Sequence, residues 1–293
     1  MRILVAGAGG LVGRAVKEHC LAQHDQTFSY THETLDIADA ASVRTTIEQV
    51  RPDAVINCAA WTDVDGCEID SARAHAANAN GPENLAKASR RCGAVFVTIS
   101  TDYIFDGTKE GFYTQRDDPN PISVYGLSKL EGERRAQRAL ARTIAVRTGF
   151  VFGTGGRNFL STVVERGQRG ERLKTISDAW GTPTYAPHLA ARLRELAERD
   201  LPGIFHVVNS GAGASYEEFA LAALEAAGCD QANLETVTMR SLNRPAPRPS
   251  NSRLKCLLSE AIGLEPLPFW QEALAAFVAS QKKADKAGIA TQS

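Results

Sequence analysis

The sequence predicts an α/β protein: a doubly wound parallel sheet, followed by a smaller and mostly helical C-terminal lobe. Three observations carry this. Short apolar runs alternate with longer helix-period stretches over the first two-thirds of the 293 residues. The runs are apolar throughout rather than alternating, as expected of parallel strands covered by helices on both faces. A glycine cluster follows the first run directly.

The elements follow in order. RILVAG (2–7) predicts the first strand and 11–23 a helix. TFSYT (27–31) suits a second strand, SVRTTIEQVRP (42–52) a helix, and DAVINCAA (53–60) a buried strand. A long helical stretch covers about 71–92, and AVFVTIS (94–100) is the next strand. A helix containing VYGLSKLEGE (124–133) runs to about 141, followed by the strand TIAVRTGFVFG (143–153). Strands separated by helices make βαβ units. Beyond 153 the pattern loosens. Residues 158–170 and 183–200 read as helices, and GIFHVVNS (203–210) as a strand that rejoins the sheet. Residues 211–280 hold two or three helices around the proline-rich NRPAPRPSNS (243–252). The expected division is a nucleotide-binding unit over 1–153, rejoined by about 183–210. A second lobe takes 154–182 and 211–280, and the polar tail 281–293 is expected to fray.

The bulk composition excludes several classes. A net charge of −1 offers no basic field for nucleic acid. No run of 18 apolar residues is present to span a membrane. MRILVAGAGG reads as a first strand rather than a signal peptide. The six cysteines form no C-x-x-C pair and stand near no histidine cluster, so reduced thiols, no metal and a cytoplasmic location are expected.

The glycine cluster is Gly7-x-x-Gly10-x-x-Gly13, placed between strand and helix. That context suits a Rossmann-type dinucleotide site. Gly7 permits the turn, Gly10 lets a pyrophosphate approach, Gly13 lets helix pack on strand, and the helix N-terminus faces the phosphates. An acid for the ribose 2′-hydroxyl is expected some 20 residues on, yet Tyr30, Thr31 and His32 stand there and Glu33 comes late. NADP(H) is therefore admitted and expected, with NAD(H) not excluded. Asp36 and Ile37 suit an adenine contact, Asp36 alternatively a helix or turn cap.

Tyr125 and Lys129 lie four residues apart, about one helical turn, and so share a face. An ammonium beside a phenol favours phenolate and is expected to draw the tyrosine pKa down toward neutrality. Such a pair suits proton transfer to a developing oxyanion.

Gly7-x-x-Gly10-x-x-Gly13, STDYIFDG (100–107) and Tyr125-x-x-x-Lys129 together resemble the extended short-chain dehydrogenase/reductase family. NCAAWTDVDGCE (57–68), VRTGFVFG (146–153), NF (158–159), GTPT (181–184) and RPSNSRL (248–254) fall in the order of its dTDP-4-dehydrorhamnose reductase branch, over about residues 1–275. The resemblance implies reduction of the C4 ketone of a nucleotide sugar. It implies Tyr125 as proton donor, Lys129 at the nicotinamide ribose, and Thr101 at the carbonyl. It places Gly10, Leu11 and Val12 at the phosphates, Ala60, Trp61 and Thr62 along the cofactor, and Asp102, Phe150 and Asn158 with Thr101 at the substrate. Dehydrating relatives carry Asp-Glu after the threonine; here Tyr103 follows Asp102, which favours plain reduction. Phe150 stands where the family often has tryptophan and Phe152 where tyrosine is common, so the sugar's hydroxyl pattern stays open. Arg244, Arg248 and Arg253 suit a diphosphate. Trp180 and Trp270 read as packing residues. The alternatives are a reductase or epimerase of another nucleotide-activated keto-sugar, and a non-catalytic subunit like the regulatory one of methionine adenosyltransferase. Oligomeric state stays open, a homodimer included.

Overall fold

The computed structural model describes residues 1–290. The chain order is β1 (Arg2–Ala6), α1 (Leu11–Ala22), β2 (Gln26–Tyr30), α2 (Ala40–Val50), β3 (Ala54–Asn57), α3 (Val64–Ile69), α4 (Ser71–His75), α5 (Gly81–Cys92) and β4 (Val95–Thr101). Then come α6 (Val124–Ala139), β5 (Thr143–Thr148), β6 (Val151–Phe152), α7 (Phe159–Gln168), β7 (Leu173–Ile176), β8 (Trp180–Gly181), β9 (Thr184–Tyr185), α8 (Ala186–Arg199) and β10 (Gly203–His206). Last are β11 (Ala214–Ser215), α9 (Tyr216–Ala227), β12 (Leu234–Val237), α10 (Leu257–Ala261) and α11 (Trp270–Ala290).

Six strands form one parallel sheet in the order β10-β5-β4-β3-β1-β2. The order reverses between β1 and β3, so their carboxyl ends open the crevice where doubly wound sheets bind ligands. The strands are apolar because both faces are covered. Ile3, Val5, Val97 and Val146 pack under α1 and α8, while Leu4, Val55 and Phe96 pack against α2, α5 and α6. A separate apolar cluster around Phe152, Phe219 and Phe277 holds α7, α9 and α11 together beyond the carboxyl edge. Short strand pairs β7–β12, β8–β11 and β6–β9 lie outside the six-stranded sheet.

Four departures from the sequence reading have local causes. The stretch 71–92 is two helices joined by a π-helical turn, Ala76–Asn80. A short helix, α3, precedes it, capped by the Asp63 carboxylate on Gly66 N–H. The strand expected over 143–153 breaks at Phe150, whose φ of +46° is unusual for an aromatic residue. Helix α11 continues to Ala290, into the segment read as a frayed tail; residues 291–293 lie outside the described residues. Among the described residues no helix is long and apolar enough to cross a membrane.

Candidate active site

A cavity of about 700 Å³ runs along the carboxyl edge of the sheet. Its lining comes from the glycine loop, the ends of β3, β4 and β5, the start of α6, and the region of β7, β12 and α9.

The glycine loop forms the cofactor end. Gly7 sits at φ +77°, and a Cβ there would lie 2.5 Å from the Ala59 nitrogen. A Cβ on Gly13 would lie 2.1 Å from the Gly7 carbonyl oxygen. These two glycines therefore let β1, α1 and the β3 loop close on one another, and Gly10, Leu11 and Val12 line the cavity above them. No side chain caps the first turn of α1, which suits its N–H groups to phosphate. Gly9 lies beside Thr31, and no carboxylate occupies the end of β2. The donors and the close backbone fit a dinucleotide.

Ala60 and Thr62 line the cavity with Cys58. Asn78, buried in the π-helical turn, fixes this loop: its Oδ1 accepts from Trp61 N–H at 2.8 Å and its Nδ2 donates to Trp61 C=O at 3.0 Å. The Trp61 ring lies outside the lining, under the Arg73 guanidinium. Asp36 and Ile37 also lie outside it. Asp36 accepts from Ala38 N–H, the turn-cap alternative, and the Ile37 side chain packs on Gly81.

Thr101, Tyr125 and Lys129 come together on the cavity floor. Thr101 ends β4, and α6 brings the other two, its start fixed by Ser123 accepting from Gly126 N–H at 3.2 Å. Asn78 also bonds Ser128 Oγ, which donates to the Tyr125 carbonyl. The Thr101 side chain lies close enough to the Tyr125 hydroxyl to favour the phenolate, an effect that burial outweighs. Thr101 Oγ1 donates to Asp102 Oδ1 at 3.0 Å, and Ser252 Oγ donates to Asp102 Oδ2 at 2.5 Å.

The electrostatics differ from the sequence expectation. Burial pushes the Tyr125 pKa up, not down. The Lys129 ammonium donates to the Ile99 carbonyl at 2.6 Å, and burial lowers its pKa to about 8. Desolvation, not the Lys129 ammonium, sets the direction of the Tyr125 shift. Burial also raises Asp102, to about 6, against the bonds from Ser252 and Thr101.

Phe150, 9% exposed, packs its ring on Gly181 and on Tyr216, with centroids 4.3 Å apart in the latter pair. Asn158 lines the cavity, though its side chain is engaged with Val151 C=O and Ser161 N–H. Arg244 and Arg248 line the cavity, Arg248 in a salt bridge to Asp65 at 2.9 Å. Arg253 does not: it stacks over Trp180 and Phe112. Trp270 is buried against Phe219.

Sequence reasoning missed Tyr103, Thr175 and Tyr216, which the fold brings to the cavity. Tyr103 had a signal, its place after Asp102; the other two had none. Ser100, Thr148 and Thr175 are nine-tenths or more buried, line the cavity, and have hydroxyls without a partner in the protein.

Comparison with known proteins gives a consistent result. The family model described as RmlD substrate binding domain matches residues 1–283. The dTDP-4-dehydrorhamnose reductase of Streptomyces griseus is 37% identical over 279 residues, 93% of this chain and 91% of that one. A crystal structure of a dTDP-4-dehydrorhamnose reductase from Clostridium acetobutylicum superposes with a TM-score of 0.91 at 34% identity, covering 96% of this chain and all of the other. The same enzyme from Bacillus anthracis, solved in complex with NADP, has a TM-score of 0.91 at 32% identity, with 95% and 99% coverage.

Proposed function

The chain belongs to the RmlD substrate binding domain family, and from that premise we propose that it reduces the C4 ketone of dTDP-4-dehydro-L-rhamnose to dTDP-L-rhamnose with NADPH. The observation that carries the reading is the convergence of Thr101, Tyr125 and Lys129 on the floor of one cavity, with the glycine loop along its wall. When bound, the reduced nicotinamide supplies the hydride.

The chain's own residues manage the oxygen. Tyr125, protonated because burial raises its pKa, holds the proton that the developing alkoxide takes up. Thr101 adds a second polar contact at the same place. Lys129, one turn further along α6, has its pKa lowered by burial to about 8 and would hold the nicotinamide ribose. Gly10, Leu11 and Val12 hold the phosphates, with Ala60 and Thr62 along the cofactor. The free edge at Thr31 and His32 carries no acid to repel a 2′-phosphate, which supports NADPH. Arg244 and Arg248 face the substrate's diphosphate from the lobe. Phe150 and Asn158 flank the sugar.

The test is consumption of NADPH, and separately NADH, with freshly prepared dTDP-4-dehydro-6-deoxy-L-mannose. Turnover that disappears in Tyr125→Phe supports both the acid and the sugar. Tight NADPH binding without turnover would shift the substrate to another keto-sugar. Phe150 keeps that second reading open, because phenylalanine lacks the indole N–H that a tryptophan there would offer a sugar hydroxyl.

A further inference from the structure

The segment RPSNSRL (248–254) forms a strap across the catalytic end of the sheet. Arg248 pairs with Asp65, Ser250 Oγ donates to Gly107 C=O, and Asn251 Nδ2 donates to the carbonyls of Lys109 and Gly111. Ser252 reaches furthest in, to Asp102 Oδ2. Asp102 is 3% exposed, and each of its oxygens is engaged, one by Ser252 and one by Thr101.

This geometry poses a problem for Thr101. Its hydroxyl has a single hydrogen. While Asp102 is ionised, the carboxylate can only accept, and the Thr101 hydrogen is committed to it. The Tyr103 N–H, 3.2 Å away, then meets a lone pair of Thr101. In that arrangement Thr101 has no hydrogen to offer a ketone. A neutral carboxyl reverses the direction.

We propose that Asp102 is a positioning residue that works in its protonated form: held by Ser252 of the strap, it donates to Thr101 Oγ1 and turns the Thr101 hydrogen outward to the reacting oxygen. The inference rests on the reductase reading of the same site. The surroundings favour the neutral form. Buried phenols face Asp102 from its own loop (Tyr103), from α6 (Tyr125) and from α9 (Tyr216). The cations lining the cavity are Lys129, Lys174, Arg244 and Arg248, of which Lys129 is bonded to a carbonyl, Lys174 paired with Glu235 and Arg248 with Asp65. A diphosphate substrate brings further negative charge and excludes water, both of which hold the proton on.

The experiment compares kcat against pH for the wild type, Asp102→Asn, Asp102→Ala and Ser252→Ala, with NADPH affinity as the check on folding. Wild-type kcat falls about tenfold per pH unit above the Asp102 pKa of the complex. Asn can accept from Ser252 and donate to Thr101, so Asp102→Asn keeps a kcat well above that of Asp102→Ala and loses that limb, keeping only the higher limb of Lys129. Asp102→Ala loses tenfold or more in kcat, roughly one donor's worth. Ser252→Ala removes a bond that stabilises the ionised carboxylate, so its limb moves to higher pH. An Asp102→Asn enzyme as inactive as Asp102→Ala, with NADPH binding intact, overturns the proposal. A second readout needs no turnover: the infrared C=O band of a protonated carboxyl, in the complex with NADPH and dTDP, wild type minus Asp102→Asn. Its presence below the limb supports the proposal and its absence overturns it. Lack of turnover in the wild type would overturn the substrate assignment alone.

Discussion

Lys129 has a measurable consequence for stability as well as for chemistry. The side chain is 4% exposed, and its ammonium bonds the Ile99 carbonyl. Burial lowers its pKa from 10.5 to about 8. The unfolded chain therefore keeps this proton to higher pH than the folded one. Between those two values the unfolded state binds more protons, so stability rises with pH there. Below about pH 8 the folded state carries the whole cost of a buried charge. At about 1.4 kcal/mol per unit, a difference of roughly 2.5 units is about 3 kcal/mol at pH 7. Met is close in shape to the lysine stem and carries no charge. Lys129→Met is expected to abolish turnover and yet to gain up to about 3 kcal/mol in stability at pH 7, less what the Ile99 carbonyl loses with the ammonium. Urea denaturation across the alkaline range gives the check. The gap between the two proteins should narrow as pH rises from about 8 toward 10.5. A variant less stable than the wild type at pH 7, or a gap independent of pH, would refute the reasoning.

Three more outcomes are expected. Tyr125→Phe should lower kcat by about 10²–10⁴ with NADPH affinity nearly unchanged, because only the proton is lost; steady-state kinetics and fluorescence titration read the two separately. Gly13→Ala should destabilise the fold and abolish NADPH binding, since its Cβ would press on the Gly7 carbonyl, whereas Gly10→Ala, whose nearest contact is 3.5 Å, should keep thermal stability and lose affinity alone. Arg147 and Glu133 form a buried ion pair at 2.8 Å, 4% and 2% exposed. Arg147→Met should cost about 3–5 kcal/mol, and adding Glu133→Leu should recover most of it in urea titrations.

The sheet was legible because each of its strands is a local pattern. RILVA, AVIN and VFVTIST are apolar whatever lies elsewhere in the chain, and the glycine spacing marks the first crossover. Tyr125 and Lys129 were legible as a pair for the same reason. Their electrostatics were not, because a pKa depends on what covers a group, and the cover comes from other elements. The split of 71–92 was hidden because a π-helical turn needs no change of composition: Asn78 is buried there to hold Trp61, 17 residues earlier. Asp36 gave two readings, and the bond from Ala38 N–H to its Oδ1 supports the turn cap without bearing on the adenine contact.

The lobe was the least legible part, and distance along the chain is the reason. Ser252 meets Asp102 across 150 residues, and Arg248 meets Asp65 across 183. No periodicity records such contacts. They do, however, join two kinds of residue that the sequence keeps apart. Thr101 and Tyr125 come from the sheet and its covering helix, where parallel packing leaves little freedom. Arg244 and Thr175 come from a loop and a short strand of the lobe and Tyr216 from the start of its helix α9, all of which can change without disturbing the sheet. A change of substrate in such a molecule therefore falls most readily on the lobe. Ser252 is the exception, because it lies in the lobe but acts on the carboxyl beside Thr101. Substitutions at Tyr216 or Thr175 should then act on KM for the sugar, and substitutions at Ser252 on the pH dependence of kcat.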